Sequence, residues 1–510
     1  MTSQPDQKHP GHITQFAPEV VLQITNNLGI QDILALSSSC RTFYHMLTQR
    51  PSLYTPLILS PYADKITSKT LFSILKRHST HTSYIQNLDL SGCYHLSSES
   101  AIHLAKKYPH LTNLDISVNP RNGRLVPGRY REGVYKDWRK TIAFNSVNQE
   151  WRLSNHAMHM LTRCTLHTLS LAGHDLDSST AHAISQMVHL TSLDISGCTW
   201  RLSQADLQTI ARGLGKNLLE LRILGFEPTD LTLLCLRQHC WKLKLLHLSG
   251  GKPMMMSKLT SIVHTMKSLQ DIRVTQIRGG DVDSLVQNLN QDTQSLDLSA
   301  KMDMYPSRGR GMRIESALNL TLRGFDALST LHHLQVLRLS NLSWISEDAV
   351  SNIIRNLPLL SKFELRMWPD IESSDLRTCD VVTTLVPDTV PNLTEITLVG
   401  VSISQSTALA WSKFKYLEQI ELSDIGVEAG SGNGFIRTWL MDMVSLEALR
   451  VTKCGIQWQQ VADIVRMRDS EADDTEDWVE HNIDELVGSM QYEDEVVIRK
   501  SRKGWEWRWS

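Results

Sequence analysis

A short apolar pattern returns along most of the chain. It consists of an aliphatic residue, two free positions, a second aliphatic, one free position, a third aliphatic, two further free positions and then Cys, Asn or a small apolar residue, as in IQNLDLSGC (85–93) and LTSLDISGC (190–198). The thirteen copies start at 85, 111, 166, 190, 218, 243, 269, 293, 334, 360, 393, 417 and 446. Several successive starts lie 24 to 26 residues apart. A period of that length indicates an array of structural repeats.

Each repeat predicts a strand followed by a helix. In LDL or LDI two apolar residues flank one polar residue, which is typical of a short strand with one face in the core and the other in solvent. Between copies the apolar spacing becomes helical. Ser346 precedes apolar residues at 350, 353, 354 and 357, and Pro358 ends the stretch. Ser203 with Asp206 predicts a capped start for another helix.

The predicted units form a curved array. Neighbouring strands lie about 4.8 Å apart whereas packed helices need about 8–10 Å, so the strands must line the inner side. Cys93, Cys198 and Cys454 close three copies of the pattern. Over residues 85 to 456 the chain resembles the leucine-rich repeat family in its cysteine-containing form. The resemblance implies an α/β solenoid, a horseshoe with parallel strands on its concave face.

The repeats are interrupted twice. Starts 111 and 166 are 55 residues apart, and a degenerate strand centred on Ile142 and Phe144 is expected in this gap, which makes fourteen strands. Arg-rich inserts near 119–138 and 301–316 are expected to leave the solenoid as loops. Residues 55–84, with the apolar run Leu57 to Leu59, are expected to link to the array and to form an irregular first repeat that caps it.

The segment before the repeats has a different pattern. Residues 1–12 are expected to be a disordered tail, and residues 13–54 predict three short helices that bury too little surface to be stable alone. This segment resembles the F-box family, with Ala17 where that family generally has Pro and Tyr54 where it has Trp. The matching positions are Phe16, Pro18, Glu19, Val20, Leu22, Ile24, Leu28, Ile30, Asp32, Leu34, Leu36, Cys40, Arg41, Phe43, Pro51, Ser52 and Leu53.

The F-box resemblance implies a partner. In that family the module docks onto the small Skp-type adaptor of a cullin-based ubiquitin ligase. The alternative is that the same apolar residues are only the core of a small helical cap. By resemblance, the candidate adaptor contacts are Pro18, Glu19, Leu22, Leu28, Ile33, Leu34, Leu36, Cys40, Phe43, Leu53 and Tyr54.

The chain changes character after the solenoid, which is expected to end at residue 468. Acidic residues crowd between Asp469 and Asp484, too densely charged to pack. The final stretch predicts two strands about a turn near Gly504, with three Trp residues at 505, 507 and 509 on one face. Residues 469–510 are therefore expected to combine an acidic segment with a hairpin. The hairpin either caps the last repeat or offers an aromatic binding surface.

Composition narrows the class of protein. The 510 residues carry a formal net charge of −2, so no global charge attracts nucleic acid or an anionic membrane. The eight Cys are scattered through apolar stretches, which favours reduced thiols. The first dozen residues lack the apolar run of a signal peptide, and no apolar stretch approaches the length of a membrane span. We expect a cytoplasmic or nuclear protein with neither nucleic acid nor membrane as partner.

Catalytic signatures are not found in the sequence. Nucleotide-binding glycine loops and a GxSxG motif are both missing. Cys235, His239 and Cys240 are close in sequence, but no second pair accompanies them, so a structural role is favoured over zinc. We expect no cofactor, no metal and no enzymatic activity. An enzyme with a site in the inserted loops is the remote alternative.

The outward position between the second and third aliphatic is the candidate substrate contact. Arg222, His247 and Arg273 occupy it on three successive strands and are expected to form a basic column suited to a phosphorylated or acidic peptide. Arg338 occupies the same position in a later copy of the pattern. The competing interpretation is an ordinary solvated surface of mixed charge. Together the modules predict a substrate receptor of a cullin-type ubiquitin ligase; the alternative is a leucine-rich-repeat scaffold or inhibitor without ligase function.

Overall fold

The computed structural model describes residues 57–77, 85–118 except 94, 153–198, 202–249, 253–277, 281–300, 318–342, 345–367, 382–423, parts of 436–452, 495–501 and 504–509, together with Ser39. They belong to two compact units that divide between Leu218 and Leu219. The predicted tail, almost all of the F-box-like segment, both Arg-rich inserts and the acidic segment lie outside the described residues.

The N-terminal unit is a ladder of five parallel strands. They are β1 (Leu57–Ile58), β2 (Asn87–Asp89), β3 (Asn113–Asp115), β4 (Thr168–Ser170) and β5 (Ser192–Asp194), and each pairs with the next. A 3₁₀ helix, Ser60–Lys65, follows β1. The α-helices are α1 (Ser68–Arg77), α2 (Ser98–Lys107), α3 (Asn155–Leu161), α4 (Ser178–Ser185) and α5 (Gln204–Leu214).

The C-terminal unit continues the strand–helix alternation with nine parallel strands. They are β6 (Glu220–Ile223), β7 (Leu245–Ser249), β8 (Asp271–Ile277), β9 (Ser295–Ala300), β10 (Val336–Leu342), β11 (Lys362–Met367), β12 (Glu395–Val399), β13 (Gln419–Ser423) and β14 (Ala448–Thr452). Its helices are α6 (Asp230–His239), α7 (Pro253–Thr265), α8 (Val282–Gln287), α9 (Leu322–Ser329), α10 (Glu347–Asn356) and α11 (Gln405–Trp411).

The predicted leucine-rich-repeat solenoid is confirmed. Every one of the thirteen pattern starts leads into a strand, and described helices separate all but two pairs of successive parallel strands in an open arrangement. The strand expected around Ile142 and Phe144, between the repeats that start at 111 and 166, falls on residues outside the described part of the chain, but the pairing of the neighbouring strands leaves no place for it in the sheet. Asn113 of β3 pairs directly with Thr168 of β4, so no strand can lie between them. The fourteenth parallel strand of the described residues is β1 instead.

The end of the chain forms an antiparallel pair. Strands β15 (Glu495–Ser501) and β16 (Gly504–Trp509) pair with each other, and β15 also pairs antiparallel with β14. Gly504 opens the second strand, close to the predicted turn. The two strands therefore extend the sheet beyond the last parallel strand.

The helix starts follow from their capping residues. The Ser203 side chain accepts from the backbone N–H of Asp206, and the Asp206 carboxylate accepts from the backbone N–H of Ser203 at 2.7 Å, which is the predicted reciprocal cap. The Ser346 hydroxyl accepts from the N–H of Ala349 in the same way. Among the described helices the longest has 13 residues, and none has the length and apolarity that a membrane-crossing helix needs.

The turns after β2, β3 and β5 share one construction, in which the last Asp of the strand accepts from the N–H two residues on. A carboxylate oxygen of Asp89 accepts from the N–H of Ser91 at 2.8 Å, and Asp194 accepts from Ser196 at 3.0 Å. The next residue in the turn after β5, Gly197, has φ +74°, a left-handed conformation that a side chain would strain. Aspartate and glycine therefore reverse the chain and deliver the closing residue of the pattern into the core.

Candidate functional site

The polar middle positions of the C-terminal strands form one continuous row. The aliphatic residues on either side of each position are buried, so the row lies on the face opposite the core. Strand register makes each member the neighbour of the next. This outward row consists of Arg222, His247, Arg273, Asp297, Arg338, Glu364, Thr397, Glu421 and Arg450.

The three residues expected to form a basic column are neighbours in this row. Arg222 stands opposite His247, and His247 opposite Arg273, on successive strands. Their side chains are not a bare positive surface, because acidic residues accompany each of them. An anionic ligand would therefore compete with existing ion pairs at this position.

The acidic partners come from the same strands and from the next ones. Arg222 pairs with Glu220 at 3.1 Å, two residues away on β6. Arg273 Nε lies 2.9 Å from an oxygen of Asp297 across β8 and β9. His247 Nε2 lies 3.0 Å from an oxygen of Asp271, so it contacts a carboxylate as well.

Asp297 is the most buried acidic group of the row. Its side chain is 10% exposed, whereas that of Arg273 is 40% exposed. Burial raises the pKa of Asp297 above its usual range, and the positive charge of Arg273 acts in the opposite direction. Arg273 is thus placed where it both offsets the burial of Asp297 and reaches solvent.

Arg338, the fourth predicted contact, begins a second group of ion pairs. Its guanidinium lies 3.4 Å from Glu364 on β11 and 3.8 Å from Glu395 on β12. Glu395 also pairs with Lys362 at 2.7 Å. One arginine is therefore shared by two carboxylates on the next two strands.

The group continues to the last parallel strand through Arg366. Its guanidinium pairs with Glu364 at 2.5 Å and with Glu421 at 3.3 Å, and Glu421 pairs with Arg450 at 3.3 Å. Arg366 reaches Glu421 over β12, where the row has the small, buried Thr397. Half-exposed pairs of this kind contribute about 0–1 kcal/mol each. Their main effect is to hold charged side chains in defined positions.

A shallow depression lies beside this group. It spans β12 to β14 and has a volume of about 100 Å³. Its lining residues are Glu395, Ile396, Thr397, Gln419, Ile420, Glu421, Ala448 and Arg450. Sites for small molecules usually measure about 300–1,000 Å³. The depression therefore has room for one partner side chain or a few waters.

The adaptor contacts predicted in the F-box-like segment are not tested by the structure. All eleven residues lie outside the described part of the chain. Ser39 is the one described residue of that segment, and it is helical and exposed. Adaptor binding thus stays a prediction from sequence.

The cysteines of the described residues are buried and free of disulfides. Burial raises the pKa of Cys240 to about 12, with a further contribution from Cys235, and it raises that of Cys164 to about 11. These thiols stay protonated near neutral pH, which suits small core residues. Within the described ranges, no three His, Cys, Asp or Glu side chains come together in a way that could hold a metal ion.

Comparisons with known proteins find similar structures but no family. No protein-family model matches the sequence, and no curated protein matches it either. A leucine-rich-repeat-containing protein of Legionella pneumophila, LegL7, is 15% identical over 62% of this chain and 85% of its own, with a TM-score of 0.31. A chain of the yeast Rad7–Elc1 complex is 13% identical over 79% of this chain and 96% of its own length, with a TM-score of 0.38. An internalin, inlF, of Listeria monocytogenes is 12% identical over 77% of this chain and 92% of its own length, with a TM-score of 0.32.

Proposed function

We propose that this chain is a non-catalytic substrate receptor of a cullin-type ubiquitin ligase. The observation that carries the proposal is the order of two modules in the sequence. An F-box-like pattern occupies residues 13–54, and leucine-rich repeats begin soon after it. A small helical module that needs a partner, joined to an extended array of repeats, suits a protein that connects two others.

The outward row supports the substrate side of the proposal. The row has one residue on each strand, and the strands lie about 4.8 Å apart, so a partner segment lying across the strands meets one member of the row per strand. Arg222, His247, Arg273 and Arg338 are the proposed contacts. An acidic or phosphorylated segment would replace their present carboxylate partners, since guanidinium binds carboxylate and phosphate in the same bidentate geometry.

The mechanism is proximity. The repeats hold the substrate while the N-terminal helices attach to the Skp-type adaptor and through it to the cullin scaffold. This raises the local concentration of substrate lysines near the ubiquitin-charged enzyme. The receptor itself makes and breaks no bonds, and it works in the cytoplasm or nucleus, where ubiquitin ligases of this class act.

Adaptor capture tests the proposal. The intact chain should co-purify with a Skp-type adaptor, and the double variant Leu22→Ala/Leu36→Ala should lose it, because two aliphatic contacts are removed. Gln23→Ala is the matched control in the same segment and should bind normally. An intact chain that captures no adaptor would contradict the proposal.

A second candidate is a repeat scaffold or inhibitor that no longer recruits a ligase. Ala17 and Tyr54, which depart from the F-box pattern, favour it. In that case the intact chain captures no adaptor but still binds a protein partner through the repeats. Introducing the residues usual in the F-box family, with Ala17→Pro and Tyr54→Trp, should then create adaptor binding.

A further inference from the structure

The last strand of the sheet has one paired edge. Strand β16 pairs with β15 from Gly504 to Trp509, and no other described strand pairs with it. Within the described part of the chain its second edge has no partner strand, and such an edge, with its row of backbone N–H and C=O groups, is a template for another strand. β16 belongs to the C-terminal unit, and the predicted substrate and adaptor contacts use neither of its edges.

The register with β15 shows which residues this edge presents. Ser501 stands opposite Gly504, Arg499 opposite Glu506, and Val497 opposite Arg508, with two residues between the strands. In a hairpin with a two-residue connection the flanking pair is hydrogen-bonded, and such pairs alternate with non-bonded ones. Residues 504, 506 and 508 thus bond to β15, and the backbone groups of 505, 507 and 509 point to the second edge.

We propose that this edge pairs with the same edge of a second copy of the chain. A twofold axis through Trp507 places residues 505 and 509 opposite each other, and the three positions with outward backbone groups then meet as bonded pairs. The same register places Glu506 opposite Arg508 twice, once on each side of the axis. Opposite charges on facing positions favour cross-strand pairing.

Neighbouring registers do not have this complementarity. Antiparallel pairing through the same backbone groups allows shifts by two residues only. One shift puts Glu506 opposite Glu506, and the other puts Arg508 opposite Arg508, and each brings only two of the three outward backbone positions 505, 507 and 509 opposite one another. The charge pattern GWEWRW (504–509) therefore selects the register centred on Trp507.

The size of the contact sets the strength of the dimer. A pairing of two six-residue strands is small beside specific interfaces, which bury about 1,200–2,000 Å² in total. We therefore expect a dissociation constant in the micromolar range and a dimer fraction that rises with the concentration of the chain.

Sedimentation velocity of the full chain from about 1 to 100 µM tests the proposal. The wild-type chain should shift from monomer to dimer across this range. Arg508→Glu puts Glu506 opposite a second carboxylate twice, so its dimer should weaken at least tenfold, while Arg508→Lys should dimerise like wild type. In the register of the hairpin, position 508 stands opposite Val497, which is uncharged.

Mixing two variants gives the decisive control. The variant Arg499→Glu/Glu506→Arg keeps an opposite-charge pair inside the hairpin and presents two positive charges on β16. Labelled Arg508→Glu chain should bind this variant as tightly as wild type binds itself, because every facing pair is again of opposite sign. A wild-type chain that stays monomeric, an Arg508→Glu chain that dimerises normally, or a mixture without rescue would each overturn the proposal.

Discussion

The ring of His174 donates from Nε2 to the backbone carbonyl oxygen of Ile116 at 2.6 Å. One repeat later, Cys198 Sγ donates to the carbonyl oxygen of Leu171 at 3.0 Å. Both donors are buried, and each directly follows a glycine with positive φ, Gly173 and Gly197. Each closing residue thus reaches back to the strand end of the preceding repeat, and His174 takes the place that Cys has in the neighbouring pattern.

His174 should make stability depend on pH. Burial lowers its pKa from 6.5 to about 4 in the folded chain, so between these values the unfolded chain binds the proton and the folded chain does not. Stability is therefore complete above pH 6.5 and is lost as the pH falls, by about 2–3 kcal/mol at pH 4.5. Urea unfolding at several pH values measures this loss.

His174→Cys is the matched variant for the pH experiment. It keeps a hydrogen-bond donor at the position that Cys198 occupies in the next repeat, but a cysteine does not take up a proton between pH 4 and 6.5. The difference in unfolding free energy between pH 7.5 and 4.5 should become smaller than in the wild type. An unchanged pH dependence would show that His174 is not its source.

Two stacked tryptophans hold the C-terminal repeats together. Trp411 and Trp439 are fully buried with ring centroids 5.5 Å apart, and their N–H groups donate to the carbonyls of Leu385 and Ala408 at 2.8 and 2.7 Å. Trp411→Phe should lower the unfolding free energy by about 1–3 kcal/mol, since it leaves a buried carbonyl without that donor. Trp241→Phe, at an exposed tryptophan, is the control and should change it by less than about 0.5 kcal/mol.

Gly213 lets helix α5 approach α4. A Cβ at this position would lie 2.3 Å from the carbonyl oxygen of Ser185, a backbone atom that cannot rotate away. Gly213→Ala should therefore destabilise the chain by about 1–3 kcal/mol, although alanine ordinarily favours a helix by about 1 kcal/mol. Thermal unfolding shows whether the substitution lowers or raises the stability of the chain. Arg212→Ala, exposed on the same helix, should be close to neutral; a stabilised Gly213→Ala would contradict the close approach.

The ion pairs of the outward row should contribute little to stability. A double-mutant cycle on Arg338 and Glu364, which lie 3.4 Å apart, is expected to give a coupling of about 0.3–1 kcal/mol at low salt. The coupling should fall towards zero in 1 M NaCl because salt screens half-exposed charges. A coupling of several kcal/mol that resists salt would identify the group as a structural core element instead.

The repeat pattern predicted the strands because its apolar residues are the ones that the fold buries. The prediction of a strand around Ile142 between β3 and β4 failed for a physical reason as well. The gap of 55 residues matches two repeat periods, but parallel pairing sets no upper limit on the connection, so β4 can pair with β3 across a long insert. The spacing between successive starts of the pattern cannot by itself distinguish a degenerate repeat from an inserted loop.

The candidate site was predicted only in part. The middle residue of each strand identified Arg222, His247, Arg273 and Arg338 as members of the outward row. Their partners, such as Glu220 and Glu395, were missed, although residues two apart on a strand share a face and could have been found by that period. The bridge from Arg366 over β12 depends on side-chain length and on the small Thr397, which only coordinates reveal.

The dissociation constant between the purified full chain and a purified Skp-type adaptor tests the central claim most directly. The account predicts saturable one-to-one binding that weakens at least tenfold in Leu22→Ala/Leu36→Ala and is unchanged in Arg338→Ala, because adaptor and substrate use separate modules. Calorimetry that detects no binding by the intact chain, or equal loss in the Arg338→Ala variant, would contradict it.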